Sequence, residues 1–217
     1  MTLSLRDIKH SLTEQTIVEK AMGLFREHGF AQVSIRQIAK AALVSEKTVF
    51  NYFPYKELIV VAGMQPALAA FMDEIQLQID AIADPTDILH NFAFNLADLC
   101  SENVEAASIF IQEMLTQDTT RQISTLRYSP DFYGPLRTVM TLARAEGLLR
   151  AEASVEYATD FYLTNVLNVL RSHLAAGSTP RMRPTLATML EIFLHGAFVP
   201  NARHRLPAEA PKEPAAP

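Results

Sequence analysis

The chain has 217 residues, of which 49% are apolar and 20% charged, so we expect a soluble globular protein of one or two domains. One cysteine, Cys100, cannot form an intramolecular disulfide; this excludes a disulfide scaffold or a zinc site built on several thiolates and favours a reducing compartment. Residues 1–7 carry charges where a signal peptide needs an apolar core, so we expect a cytoplasmic protein. The longest uncharged run, residues 58–72, is short for a membrane span and predicts a buried helix.

The net charge of −5 is unevenly distributed. Residues 1–58 contain eight basic and six acidic residues, which gives a net charge of +2. The other 159 residues contain 11 basic and 18 acidic residues, which gives a net charge of −7. An acidic body repels polyanions, so any contact with nucleic acid would be confined to the N-terminal region. A difference of this size also arises by chance, so charge alone does not establish such a contact.

Apolar residues recur at intervals of three and four throughout, without hairpin turns or sustained alternation, which predicts an all-α fold of about nine helices. The first helix has a possible capping box at Ser11 and Glu14 near its start, and Gly29 ends it. Two short helices follow over residues 34–41 and 45–52, each capped by its first serine. A fourth helix begins near Tyr55 or Lys56, and Pro66 is expected to kink or break it.

Further helices are predicted over about 86–100 and 102–117, then over 154–176 and 184–198. Residues 118–147 also have a helical pattern, but Ser129-Pro130 and Gly134-Pro135 predict an irregular segment there. The proline-rich residues 204–217 cannot form a core and are expected to be a disordered tail.

Residues 34–53 have the spacing of a DNA-binding helix-turn-helix. Two short helices cross at a steep angle only where the residue at their closest approach is small, and Ala39 lies midway along the first of them. Val49 would face Ala39 across an apolar seam whose other members are Ile35, Ile38, Ala42, Val44 and Phe53. The second helix would then enter the major groove of DNA.

The outward face of the second helix would carry Glu46, Lys47, Phe50 and Asn51. Lys47 and Asn51 can donate to base edges, Glu46 can accept from a cytosine amino group, and Phe50 can contact a thymine methyl group. The alternative is that these residues form an ordinary solvated helix face. The buried two-helix frame beneath them favours DNA recognition.

Other side chains near this frame suit phosphate groups, which fix the register of the protein on DNA without choosing a sequence. The candidates are Thr48, Tyr52 and Lys56, with Arg36 and Thr13 as weaker ones. The helix starts at Ser34 and Ser45 are included because backbone amides and the helix dipole attract anions there.

Residues 16–58 resemble the N-terminal domain of the TetR family of bacterial transcriptional regulators. The resemblance rests on four motifs: the Ala-x-x-Leu-Phe-x-x-x-Gly-Phe element "AMGLFREHGF", "IAKAA", "VSEKTVF" and "YFPYKEL". It implies a homodimer that reads a near-palindromic operator, with an N-terminal DNA-binding domain (1–55) and a helical domain (56–203) that binds a small molecule and dimerises. It also places Thr48, Tyr52 and Lys56 at phosphate-contacting positions and Lys47 and Asn51 at variable base-reading positions.

Two residues depart from the family pattern. Leu43 occupies the turn position where glycine is usual, and a leucine at positive φ would cost about 1–2 kcal/mol unless the turn is reshaped. Phe50 stands where a tyrosine is common, so a hydroxyl contact to DNA would be absent.

Aromatic residues and methionines are frequent after residue 58 and cluster near the proline-interrupted residues 129–135, which suggests an apolar ligand cavity there. The alternative for each of these side chains is an ordinary core position. The candidate ligand-binding residues, two of them amides that could orient a ligand, are Phe71, Phe92, Asn95, Phe110, Met114, Phe132, Tyr133 and Asn165.

Two apolar stripes on the last two helices could pair with their symmetry mates in an intermolecular four-helix bundle. One stripe contains Val155, Ala158, Tyr162, Val166, Val169 and His173, and the other contains Leu186, Met189, Leu190, Phe193 and Ala197. Burial of both stripes inside one subunit is the alternative.

These patterns predict a repressor that a small, largely apolar ligand releases from a palindromic operator. A ligand-independent DNA-binding regulator or an activator is the alternative. We expect no enzyme, because no glycine-rich phosphate loop, nucleophile elbow or metal-ligand spacing is present, and we expect no cofactor, no metal and no membrane partner.

Overall fold

A computed structural model describes residues 4–197, and no β-strand is present in this part of the chain. The ten α-helices are α1 (Leu5–His28), α2 (Ile35–Ala41), α3 (Glu46–Tyr52), α4 (Lys56–Asp80), α5 (Pro85–Glu102), α6 (Val104–Met114), α7 (Thr119–Leu126), α8 (Tyr133–Ala145), α9 (Val155–Ala175) and α10 (Met182–Ala197). A 3-10 turn at Thr179–Arg181 precedes α10. The all-α prediction is confirmed, and the helix count exceeds nine because residues 118–147 form two helices. The predicted tail, residues 204–217, lies outside the described residues.

Serine caps determine where the two short helices begin. Ser34 Oγ accepts a hydrogen bond from the Gln37 amide, and the Gln37 side chain accepts one from the Ser34 amide in return, so α2 starts with a full capping box. Ser45 Oγ accepts from the Thr48 amide at 3.0 Å and starts α3. Both predicted helices and both caps are confirmed.

The predicted capping box at Ser11 and Glu14 is wrong. Helix α1 begins at Leu5, so Ser11 lies within the helix, where no amide needs a cap. Glu14 instead accepts a hydrogen bond from the Tyr128 hydroxyl group. Gly29 ends α1 with φ +80°, as predicted.

The chain divides into two compact units. The first contains the described residues of Met1–Ala70 and Glu102–Pro130, and therefore includes α1, α2, α3, α6 and α7. Its core includes Ile17, Ala21, Ile38, Val49 and Phe53, which are all buried. Lys56 holds the connection between α1 and α2, because its Nζ atom donates to the carbonyl oxygens of Phe30 at 2.7 Å and Val33 at 2.8 Å.

The second unit contains Phe71–Ser101 and the described residues of Asp131–Pro217, and therefore includes α8, α9 and α10. Phe92 of α5 is fully buried, and its ring centroid lies 6.0 Å from that of Tyr162 on α9. The Tyr162 hydroxyl group donates to the Leu89 carbonyl oxygen at 2.6 Å, and burial raises the pKa of this phenol well above its usual value.

Helix α4 continues through Pro66, so the predicted break does not occur. By length and composition α4 could cross a membrane, but half of its most apolar stretch is buried, as in the core helix of a folded domain. Leu58, Val61, Leu68 and Ile75 are among its buried residues. The predicted buried helix over residues 58–72 is therefore present.

Leu43 lies in the turn between α2 and α3 with φ +55°, and it is 93% exposed. The turn is therefore not reshaped to avoid the left-handed region. Because Leu43 is almost fully exposed, burial of its side chain does not offset the strain.

We expect Leu43→Gly to raise the free energy of unfolding by about 1 kcal/mol, because glycine adopts positive φ without the Cβ clash. Urea denaturation followed by circular dichroism measures the change. Lys40→Gly is the matched control. Lys40 is an exposed position of helix α2, where glycine should lower the free energy of unfolding by about 1 kcal/mol. A similar loss of stability in both variants would contradict the strain at Leu43.

Candidate DNA-binding surface and ligand-binding residues

The α2–α3 frame buries one side of α3 and exposes the other. Ala39 of α2 and Val49 of α3 are both buried, and the Val44 amide donates to the Ala39 carbonyl oxygen at 3.0 Å across the turn. The residues predicted to read bases are all exposed: Glu46, Lys47, Phe50 and Asn51. This is the arrangement that lets a short helix enter the major groove.

The exposed face of α3 combines different chemical groups. Lys47 and Asn51 supply donors, Glu46 supplies an acceptor, and the Phe50 side chain is 49% exposed. A half-exposed phenylalanine beside charged and amide groups can contact an apolar group in the DNA groove.

The predicted phosphate-contacting residues of α3 are partly buried and held in place. Thr48 Oγ1 lies 2.8 Å from Ser45 Oγ, so the hydroxyl groups at the start of α3 form a hydrogen-bonded pair. The Tyr52 ring at the other end of α3 packs on the His10 ring of α1, with centroids 4.4 Å apart. These contacts orient both hydroxyl-bearing side chains.

Lys56 has a structural role that the sequence did not reveal. Besides its two carbonyl acceptors, its Nζ atom lies 4.0 Å from the centroid of the Phe30 ring. Two of its three ammonium N–H groups are therefore used within the protein. The fixed position of the ammonium group keeps its charge close to the start of α4.

The remaining predicted DNA-binding positions differ in exposure. Ser34, Arg36 and Ser45 are exposed. Thr13 is half-buried on α1, and its hydroxyl group donates to the Lys9 carbonyl oxygen at 2.9 Å.

The predicted ligand-binding residues fall into both compact units. Phe110 and Met114 lie on α6 in the first unit, where Phe110 is fully buried. The remaining six lie in the second unit: Phe71, Phe92, Asn95, Phe132, Tyr133 and Asn165.

Three of the predicted aromatic residues in the second unit pack directly on each other. The centroid of the Phe71 ring lies 5.2 Å from that of Phe92 and 6.4 Å from that of Phe132, and the Phe92 and Phe132 centroids are 6.0 Å apart. We call Phe71, Phe92, Phe132 and the adjoining Tyr162 the aromatic cluster. Tyr133, which follows Phe132 in the sequence, is half-buried.

The two predicted amides have protein partners. Asn95 Nδ2 donates to Glu74 at 3.4 Å, and Asn165 Nδ2 donates to the Phe161 carbonyl oxygen within α9 at 2.7 Å. Each bond uses one N–H of its amide group.

The predicted intermolecular pairing of the two C-terminal stripes is wrong for their central residues. Ala158, Tyr162 and Val166 of α9 and Leu186 and Leu190 of α10 are already buried within the chain. The alternative of burial inside one subunit is confirmed for them. Helical periodicity identifies a buried face but does not show which chain covers it.

A different face of α9 and α10 is apolar and exposed. Tyr157 and Phe161 of α9 and Ile192 of α10 are exposed, and they line a surface cavity of about 570 Å³ with Arg150 and Gly196 among others. We call Tyr157, Phe161 and Ile192 the C-terminal apolar patch. Adjacent exposed apolar side chains of this size typically mark an interaction surface.

An ion pair between a buried carboxylate and a partly exposed guanidinium group joins α6 to α7 and was not predicted. The Glu113 carboxylate is buried and accepts two hydrogen bonds from the Arg121 guanidinium group, and Glu57 lies 3.6 Å from the same group. The hydrogen bonding that Arg121 donates to the Glu113 carboxylate raises the pKa of the Arg121 guanidinium group above its usual value. The guanidinium carbon lies 4.2 Å from the Tyr55 ring centroid, and the Tyr55 hydroxyl group donates to the Arg121 carbonyl oxygen.

The sequence profile of the family described as "Bacterial regulatory proteins, tetR family" matches residues 17–62. The chain is 28% identical over 149 residues to the HTH-type transcriptional repressor NicS of Pseudomonas putida, covering 67% of this chain and 70% of that protein. Its fold resembles Thermus thermophilus FadR, a TetR family transcriptional repressor solved with lauroyl-CoA. That match has a TM-score of 0.74, 25% identity and coverage of 91% of this chain and 100% of the other.

A second solved structure, the Bacillus subtilis transcriptional regulator FadR in complex with stearoyl-CoA, has the same fold. It matches with a TM-score of 0.66 and 17% identity over 84% of this chain and 98% of the other. The capped α2–α3 frame and these comparisons define a helix-turn-helix transcriptional regulator. Residues 17–62 have the sequence pattern of the TetR family of bacterial regulatory proteins, and the chain has the fold of a TetR family repressor. The relatives compared are regulators of transcription.

Cys100 is buried on α5, and this burial raises the pKa of its thiol to about 12. The thiolate, which is the reactive form, is therefore scarce near neutral pH.

We expect the thiol of Cys100 in the native protein to react slowly with iodoacetamide between about pH 7 and 9. The urea-unfolded protein should react rapidly, because its thiol pKa returns to about 8.5. Mass spectrometry of the alkylated protein measures both rates. Equal rates would show that Cys100 is accessible in the native state.

Proposed function

We propose that the protein is a ligand-responsive transcriptional repressor that binds a near-palindromic DNA operator as a homodimer in the cytoplasm. The observation that carries this proposal is the exposed, chemically mixed face of α3 on a buried two-helix frame. The repressors NicS and T. thermophilus FadR, which the chain resembles, support it.

In this proposal the DNA-contacting residues have two roles. Glu46, Lys47, Phe50 and Asn51 read base edges in the major groove. The phosphate-contacting set fixes register and consists of Thr13, Ser34, Arg36, Ser45, Thr48, Tyr52 and Lys56.

A homodimer would place two copies of α3 about one helical turn of DNA apart, roughly 34–36 Å, so that they enter successive major grooves. The C-terminal apolar patch is the surface that we propose for dimerisation, because an isologous contact would cover it in both copies. Residues 1–55 would then serve as the DNA-binding domain and residues 56–203 as the domain that dimerises and binds ligand.

The proposed ligand is small and largely apolar. The two FadR structures contain lauroyl-CoA and stearoyl-CoA, and the described part of this chain offers the aromatic cluster, with Tyr133, Asn95 and Asn165 on the same compact unit. A ligand that binds better to a conformation with a different α3 spacing must weaken operator binding by the same free energy.

The close packing of the aromatic cluster favours a second candidate, a DNA-binding regulator that acts without a ligand. Phe71, Phe92 and Phe132 are all buried against each other, so a ligand would have to displace at least one ring.

Lauroyl-CoA is a suitable first probe to separate the two candidates. A rise in melting temperature together with weaker operator binding would support the repressor released by ligand, and the absence of both with a panel of acyl-CoA and aromatic compounds would support the second candidate.

Selection of duplexes from a random DNA library should yield a near-palindromic consensus sequence. We expect Lys47→Ala to lower affinity for that sequence by about 10-fold to 100-fold and to relax the preference at one position of each half-site, because a base contact is lost. Tyr52→Phe should weaken preferred and unrelated sequences alike, because it removes only a phosphate contact. Fluorescence anisotropy measures both affinities. The reverse pattern would refute this division of roles, and recovery of no consensus would refute the proposed function.

We expect Ile192→Glu to convert the dimer into monomers, because a dimer interface would bury its charge against apolar side chains. Leu77→Glu is the matched control, since Leu77 on α4 has the same exposed fraction of 68% and lies outside the C-terminal apolar patch. Sedimentation velocity measures the mass of each variant. A dimeric Ile192→Glu variant would place the interface elsewhere.

A further inference from the structure

Glu14 of α1 contacts one side chain of its own helix and two side chains at the C-terminal end of α7. Its Oε1 atom accepts a hydrogen bond from the Tyr128 hydroxyl group, its Oε2 atom lies 3.5 Å from Arg127 Nη2, and the same Oε2 atom lies 3.9 Å from His10 Nδ1. Only 17% of the Glu14 side chain is exposed, and Tyr128 is buried. A buried phenol needs an acceptor, so the bond to Glu14 fixes the position of the Tyr128 ring.

Both rings held near Glu14 pack on the C-terminal end of recognition helix α3. The Tyr128 ring lies 5.8 Å from the Phe53 ring, and the His10 ring lies 4.4 Å from the Tyr52 ring, measured between centroids. Tyr52 is the last residue of α3 and Phe53 is its C-cap. One carboxylate therefore organises two rings that contact consecutive residues where α3 ends.

Tyr128 is also attached to α7. Its backbone amide donates to the Thr125 carbonyl oxygen at 3.0 Å, and the preceding residue, Arg127, caps the C-terminal end of α7. Helix α7 is in turn joined to α6 by the ion pair of Glu113 and Arg121. A displacement of α7 would therefore move the Tyr128 ring that packs on Phe53.

We propose that Glu14 and Tyr128 are positioning residues for DNA binding: their hydrogen bond holds the end of α3 and couples its position to that of α7. This inference rests on the proposed function, because it assumes that α3 reads DNA. Neither residue needs to contact DNA. Their effect is transmitted through the His10–Tyr52 and Tyr128–Phe53 ring contacts.

The most conservative test is Tyr128→Phe, which removes one hydroxyl group and keeps the ring on Phe53. We expect affinity for the selected operator to fall by about fivefold to tenfold, with faster amide hydrogen exchange over residues 46–53 of the free protein. Glu14→Gln keeps an acceptor for the Tyr128 hydroxyl group, so it should retain most of the affinity, whereas Glu14→Ala should lose as much as Tyr128→Phe. The double variant of Glu14→Ala and Tyr128→Phe should be no weaker than Glu14→Ala alone.

Thr159→Val is the matched control. Like Tyr128, Thr159 is buried and donates its hydroxyl proton to an oxygen atom, the Val155 carbonyl oxygen at 2.7 Å, but it lies on α9 in the second compact unit and contacts neither α3 nor α7 in the described structure. It should lower the melting temperature by a similar amount while leaving operator affinity and exchange in α3 unchanged. Equal changes in both variants, or unchanged exchange in Tyr128→Phe, would overturn the proposal.

The exchange measurement separates this inference from the proposed function, because it needs no DNA. If the wild-type protein selects no operator but Tyr128→Phe still accelerates exchange in α3 alone, the proposed function fails and the positioning contact stands. If the wild-type protein binds its operator and exchange in α3 does not respond to Tyr128→Phe, the positioning contact fails and the proposed function stands.

Discussion

The structure of the DNA-binding surface depends on one constraint, the burial of the seam between α2 and α3. Val49 has no exposed surface, and Ala39 is small enough to let the two helices approach each other closely. Once Val49 faces inward, helical geometry requires Lys47, Phe50 and Asn51 to face outward. The serine caps at Ser34 and Ser45 determine where each helix begins, so the register of the exposed face is set locally.

Local patterns made the N-terminal helices predictable from sequence. Caps, the Gly29 stop and the spacing of apolar residues act within one or two turns, and the structure has the elements that they predict. Ser11 shows where this reasoning fails: a serine followed by a glutamate at the capping distance lies inside a helix that starts earlier. Its partner Glu14 instead binds Tyr128, which is 114 residues away in the chain, and no local pattern predicts such a contact.

The C-terminal region was less predictable because packing there is not local. Periodicity identified the apolar stripes of α9 and α10, but it could not show that residues of the same chain cover Tyr162 and Leu190. The exposed patch that remains includes Tyr157 and Ile192, which belonged to neither stripe. Similarly, an abundance of aromatic residues predicted a cavity, whereas Phe71, Phe92 and Phe132 pack on each other.

The central claim, that α3 carries the DNA-reading face, is tested most directly by photocrosslinking. The aromatic photocrosslinker p-benzoylphenylalanine would replace Phe50 in one variant and Ile123 of α7, which is also well exposed, in another. We expect the protein substituted at position 50 to crosslink to bases within the selected operator and the protein substituted at position 123 not to do so. Crosslinking to DNA from position 123 alone would contradict it.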